Sequence, residues 1–179
     1  GSPAITCILG TGSNSCYFDG INCFEEVPAL GYVLGDEGSG SYFGKQIITA
    51  YLYNQLPGNL LKDFNDTYNL SKDEILHSVY SKPNVNKYLA SFAKFLSKNK
   101  DEEYVKKLLV DGFCLFISKH VYCYKRYETI QVNFVGSIAF YFQDSLLQAC
   151  EKMNIQLGSI IQKPIDGLVS YIVKNKKAI

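Results

Sequence analysis

The sequence carries no marked excess of charge of either sign. Its 179 residues include 18 Lys and Arg against 17 Asp and Glu, a formal net charge of +1. A nucleic-acid-binding surface needs a clear basic excess, so that class of function is excluded as an expectation. The cluster Lys174, Lys176 and Lys177 reads instead as the solvated end of a helix, where cations suit the carbonyl terminus. No apolar run approaches the roughly 18 residues that span a bilayer, so no membrane partner is expected. The opening residues "GSPAITCILG" lack a basic n-region, and no signal peptide is read there. There are only two histidines, His77 and His120, with no HxH or HExxH spacing, which argues against a zinc site. None of the six cysteines, at 7, 16, 23, 114, 123 and 150, forms a CxxC pair. They read as reduced, mostly buried thiols of a cytoplasmic protein.

What is present is a chain able to bury a core. Hydrophobic residues make up 47%, enough for one domain or one large half of a two-domain protein. "AITCIL", 4–9, is a continuous apolar run that reads as a strand buried on both faces. "NSCYF", 14–18, and "INCFEEV", 21–27, read as two more, with Asp19-Gly20 as a two-residue hairpin turn. From Ser39 to about Leu56 apolar residues recur at helical spacing, and Pro57-Gly58 is read as the stop. Several short helices follow over 59–98, one opened by a Ser71–Glu74 capping box. A long helix is predicted over about 102–126, capped by Asp101, with His120 on its apolar stripe. "TIQVNFVG", 129–136, reads as a strand, "SIAFYFQDSLLQACEKMN" as a helix and "IQLGSII", 155–161, as a last strand. A closing helix starts at Pro164. The order β-β-β-α…α-β-α-β-α implies α/β class: a five-stranded mixed sheet, a meander first and then two strands joined by helical crossovers.

Three stretches carry the chemistry. In "LGTGSN", 9–14, a buried strand runs into a glycine turn whose backbone N–H groups can form an anion-binding nest, with hydroxyls on Thr11 and Ser13. The same turn also reads as an ordinary β-turn. "GYVLGDEGSG", 31–40, sets Asp36 and Glu37 among four glycines ahead of a helix. Asp36 or Ser39 can cap that helix, or the carboxylate can accept hydrogen bonds from sugar hydroxyls that lie against the bare backbone. "NFVGSIA", 133–139, passes from strand to Gly to helix, which suits a flat ring or a phosphate at a helix start as well as a plain turn.

In that order, "GTGSN", "GYVLGDEGSG" and "VGSIA" resemble the second domain of the N-acetylglucosamine kinase family, within the actin, hexokinase and heat-shock ATPase superfamily. The resemblance runs over nearly the whole chain, and the Gly-Asp-Glu-Gly-Ser loop is its most specific part. The chain is also similar to the ATPase activators of 2-hydroxyacyl-CoA dehydratases. The resemblance implies a ribonuclease H-like (actin-like ATPase) fold with helices on both faces of the sheet. It implies that residues 1–179 form a C-terminal domain whose N-terminal partner domain, with its own phosphate loop and general base, is not in this chain. It implies an ATP-dependent amino-sugar kinase acting on the 6-hydroxyl of N-acetylglucosamine, with ATP and Mg2+ as cofactors. Gly10, Thr11, Gly12 and Ser13 would meet the ATP phosphates. Gly136 and Ser137 would lie beside the adenosine, with Ala90 as a wall. Asn14, Gly31 and Asp36 would meet the sugar, and Glu37 would support the loop or a metal-bound water. No residue here is a direct metal ligand or a catalytic base. The partners implied are the sugar, ATP, the N-terminal domain and, optionally, a second copy. Ala29 stands where the family often has another glycine. An activator ATPase coupled to electron transfer and a non-catalytic sugar or nucleotide sensor are the alternative readings.

Overall fold

The computed structural model describes residues 2–165 together with Gly167 and Val169. Most of the closing helix predicted from Pro164 lies outside these residues, as does the lysine cluster at 174–177. Five strands form one mixed sheet in the order β3-β2-β1-β4-β5. β1, Ala4–Leu9, is central and antiparallel to β2, Ser13–Phe18. β2 pairs in turn with the short β3, Cys23–Phe24. On its other side β1 runs parallel to β4, Gln131–Val135, and β4 parallel to β5, Gln156–Ile161. This is the mixed five-stranded α/β arrangement that the element order implies.

The third strand is shorter than its sequence suggests, and its late start has a local reason. Asp19 does not make a two-residue turn. Its carboxylate accepts from the N–H groups of both Ile21 and Asn22, and its own N–H donates to the Asn22 carbonyl. That builds a four-residue loop, held by an aspartate side chain that mimics backbone. The two amide bonds hold the Asp19 carboxyl below the usual carboxylate range.

The first crossover carries seven helices. They are α1, Gly31–Leu34; α2, Gly40–Leu52; α3, Gly58–Tyr68; α4, Lys72–Tyr80; α5, Val85–Ser91; α6, Ala93–Lys98; and the long α7, Glu103–His120. α2 ends earlier than Pro57 because Asn54 turns left-handed at φ 55°. α7 starts from Glu102 without any side-chain cap, so Asp101 does not cap it. The predicted capping box of α4 is present: Ser71 accepts from the Glu74 N–H while Glu74 accepts from Ser71. The second crossover is broken into α8, Ser137–Tyr141, and α9, Gln143–Lys152.

Alternation along the strands decides where the core lies. Ile5, Cys7, Leu9, Val132 and Phe134 are fully buried under the helices, while Ile8, between two of them, is 52% exposed, so β1 is fully buried on one face and not on both. α7 presents Val105, Leu109, Gly112, Phe113, Phe116 and Ile117 to that core, with Leu108 half-buried at its margin. Seven fully buried phenylalanines anchor it: Phe43, Phe64, Phe92, Phe95, Phe113, Phe116 and Phe134. Each contributes about 1.5–3 kcal/mol relative to exposure. Two helical glycines let their helices pack closely. A Cβ on Gly44 of α2 would lie 1.8 Å from the Leu89 carbonyl oxygen of α5, and one on Gly112 would lie 2.4 Å from the Phe43 ring. The cysteines are more open than expected. Only Cys7 and Cys150 are buried; Cys16 and Cys114 are half-buried, Cys23 and Cys123 exposed, and all six are free.

Candidate functional site

The two glycine-rich stretches meet at one end of the central strand. The turn between β1 and β2 closes on itself through a bond from the Gly10 N–H to the Gly12 carbonyl. The start of α2 then docks on this turn. The Gly40 N–H donates to the Gly10 carbonyl at 2.8 Å, and the Ser41 N–H to the Thr11 carbonyl at 3.0 Å. The Ser41 hydroxyl also donates to Thr11 O. Two of the helix's first N–H groups, which would otherwise lack partners, are therefore satisfied by the turn. Among the described residues, the N–H groups of Thr11 and Gly12 take no part in these bonds.

Ser39 caps α2: its hydroxyl accepts from the Tyr42 N–H at 3.2 Å. Asp36 therefore does something else. It sits at φ 58°, in the left-handed region that side chains seldom adopt. Its carboxylate reaches over the glycine turn and accepts from the Ser13 N–H at 3.2 Å. A Cβ on Gly12 would fall 2.9 Å from that carboxylate, so Gly12 must stay bare for Asp36 to lie there. Gly38, also left-handed at φ 69°, rests on Phe116 and the Gly112 carbonyl of α7. Glu37, between them, faces the buried His120 at 3.5 Å.

Asn14 follows the turn on β2. Its amide donates to Glu25 at 3.4 Å, while its Oδ1 is buried without a partner. The Ser13 hydroxyl is likewise buried and unpaired. Buried polar atoms without a partner, here on two successive residues, are unusual in a folded protein. Gly31 opens α1 at φ 69° with no atom near its missing Cβ.

On the other side of the turn lies a cavity of about 410 Å³. Gly10, Thr11, Gly40, Ala90 and Ser137 line it, together with Lys94 and Tyr141. The structure thus brings Gly10, Thr11, Ala90 and Ser137 around one space. Gly136 stands directly before Ser137, at φ 126°, where a Cβ would strike the Leu9 carbonyl at 2.3 Å. Its bareness is required by the close passage of β1. Sequence reading missed Ala93, Lys94 and Ser97 in this wall. They follow Ala90 at spacings of three, four and seven, so the helical period carries the signal. Tyr141 stands in the same relation to Ser137.

Among the described residues, no three His, Cys, Asp or Glu side chains gather where they could hold a metal ion. No described helix is long and apolar enough to cross a membrane.

No protein-family profile matches the chain, and no curated protein matches it. Solved structures do. One from Porphyromonas gingivalis, named "Putative N-acetylglucosamine Kinase", is similar at 40% identity and a TM-score of 0.92, covering 98% of this chain. Another of that name, from Chromobacterium violaceum, is similar at 18% identity and a TM-score of 0.69, covering 89% of this chain. At that identity the second likeness speaks to fold alone. Sheet order, crossovers and these likenesses define an α/β domain of the actin-like ATPase, ribonuclease H-like class. Within that class the chain is similar, at 40% identity, to a protein bearing the name of the N-acetylglucosamine kinase family that its motifs resemble. It spans 62% of the Porphyromonas protein and 55% of the Chromobacterium protein, less than two thirds of either.

Proposed function

We propose that this chain is the C-terminal, substrate-gripping part of an ATP-dependent amino-sugar kinase that phosphorylates the 6-hydroxyl of N-acetylglucosamine. One observation carries the reading: the Asp36 carboxylate lies directly on the glycine turn, beside the cavity that Ala90 and Ser137 help to wall. A hydroxyl acceptor and an anion nest within one backbone knot suit a reaction that joins a polyol to a phosphate.

In this reading the cavity takes adenosine, with Ala90, Gly136 and Ser137 around it. A volume of about 410 Å³ lies in the range of small-ligand sites. Gly10, Thr11, Gly12 and Ser13 hold the phosphates, Thr11 and Gly12 through their uncommitted N–H groups. The orphaned Asn14 Oδ1 and the free lone pairs of Asp36 accept from sugar hydroxyls, with Gly31 bare on the flank. Glu37 supports the loop. When bound, Mg2+ neutralises charge on the phosphate chain. Among its described residues this chain offers that ion no cluster of ligands. The general base comes from the length of the kinase that this chain does not span. The residues described here orient and hold, which is most of what phosphoryl transfer asks of a protein. The proposed setting is cytoplasmic, with sugar, ATP and the remaining kinase domain as partners.

A coupled ADP-release assay with Mg-ATP and a panel of hexoses and hexosamines tests the reading on the intact protein. N-acetylglucosamine is expected to stimulate turnover above all others. No sugar-stimulated release would overturn it.

A further inference from the structure

The acid loop is seated on the end of α7, and one side chain there has no part in the reading above. His120, the last residue of α7, is 4% exposed. Its ring lies flat on Phe116, with centroids 4.7 Å apart and planes at 11°. Its Nε2 faces Glu37 Oε2 at 3.5 Å, and its Nδ1 is buried with no hydrogen-bond partner. As a core filler this is a poor choice. A phenylalanine would stack on Phe116 equally well and leave no nitrogen orphaned. Packing alone therefore does not account for a histidine here, whereas the nitrogen facing Glu37 does.

Glu37 lies between two residues in left-handed conformations, Asp36 at φ 58° and Gly38 at φ 69°. Glycine adopts that region freely, but aspartate does so at a cost that its surroundings must offset. Gly38 is fixed by its seat on Phe116 and Gly112. Glu37 supplies the side-chain tie between the loop and the same helix, one turn further along. The tie and the strain are adjacent in sequence, and Asp36 beyond them covers the glycine turn.

We infer that His120 is a positioning residue: through Glu37 it holds the acid loop on α7 and so keeps the Asp36 carboxylate over Gly12 and Ser13. Sugar affinity then depends on a histidine that never touches sugar. The sugar part rests on the function proposed above; the tie itself does not.

The test uses the intact protein and the variants His120→Phe, His120→Gln and Glu37→Gln. His120→Phe keeps the stack and removes the orphan nitrogen, so its Tm should hold or rise. Its KM for N-acetylglucosamine should nevertheless increase severalfold, since a polar approach at 3.5 Å is worth less than a full hydrogen bond. His120→Gln restores a donor near the Nε2 position without the ring, so its Tm should fall while its sugar KM returns toward wild type. An unchanged sugar KM in His120→Phe, or equal KM values in the Phe and Gln variants, would overturn the inference. Nitrogen NMR of the two histidine rings reads the tie independently of turnover. Glu37→Gln should shift the Nε2 signal of His120, assigned by its loss in His120→Phe, and leave that of His77 in place. An unmoved His120 signal would overturn the tie even in an active kinase. A moved signal in a protein without sugar turnover would sustain the tie while the sugar reading fails.

Discussion

Asp36 joins two tasks in one side chain. Its carboxylate anchors the Ser13 N–H and is proposed to grip a sugar hydroxyl. A carboxamide of the same shape keeps an acceptor oxygen but loses the charge. Asp36→Asn is expected to raise the sugar KM by roughly ten- to a hundredfold, because a hydrogen bond to a charged group contributes about 1.5–3 kcal/mol. Steady-state kinetics on the intact protein checks it, and an unchanged KM would remove Asp36 from the sugar site. Gly136 makes a contrasting prediction. Gly136→Ala meets both a positive φ and the Leu9 carbonyl, so it should lower Tm by several degrees, read by thermal unfolding. The sequence marked both positions through their neighbours, an acid among glycines and a glycine between strand and helix. It could not say what the bareness of Gly136 is for. The carbonyl it accommodates belongs to β1, a partner fixed only when the sheet assembles.

At the level of elements, the strongly patterned pieces were legible and the boundaries set by side-chain turns were not. β1 is an unbroken apolar run, and α7 shows its stripe at helical spacing. α2 ends before Pro57 because an asparagine in the left-handed region, Asn54, stops it first. β3 starts late because Asp19 makes a loop of its own with Ile21 and Asn22. Helix α4 offers a pH test. The Ser71 N–H and hydroxyl hold the Glu74 carboxyl below its usual range. A lowered folded pKa contributes stability that is fully present above the unfolded value and is lost as pH falls through the folded one. The stability gap between wild type and Ser71→Ala should therefore narrow on acidification. Near neutral pH, loss of the serine cap should cost about 0.5–2 kcal/mol by denaturant titration. Where α2 and α5 touch, Gly44→Ala would press a methyl into the Leu89 backbone, and thermal unfolding should report a clear fall in Tm.

Over the whole molecule, burial sorts the six thiols into classes. Burial, reinforced by Cys114 and Glu151, pushes the Cys150 thiol up to about 12, and burial beside Cys150 raises that of Cys7 well above the ordinary value. Since the thiolate is the reactive form, a thiol reagent at neutral pH should label the exposed Cys23 first and then the exposed Cys123, whose thiol desolvation pushes up. Cys7 and Cys150 should react only when the chain unfolds, as peptide mapping of a labelling time course would show. Composition foretold reduced thiols but not this ordering, because which cysteine faces the core depends on strand parity and helix phase. The candidate site divides in the same way. Its glycine turn and acid loop stand out locally in the sequence, while the His120–Glu37 approach joins residues far apart in the chain.

The position of β1 has a consequence for how the chain comes into being. Its antiparallel neighbour follows within a few residues, but its parallel neighbour pairs Ile5 with Val132, after all seven helices of the first crossover. Non-local parallel pairing closes late because the loop entropy must be overcome first. During synthesis the hairpin of β1 and β2 therefore waits with one apolar edge unpaired until β4 emerges. That interval is when an open strand edge is most exposed to other chains. Slowed translation after β4 should raise the folded yield, whereas truncation before Gln131 should yield aggregate.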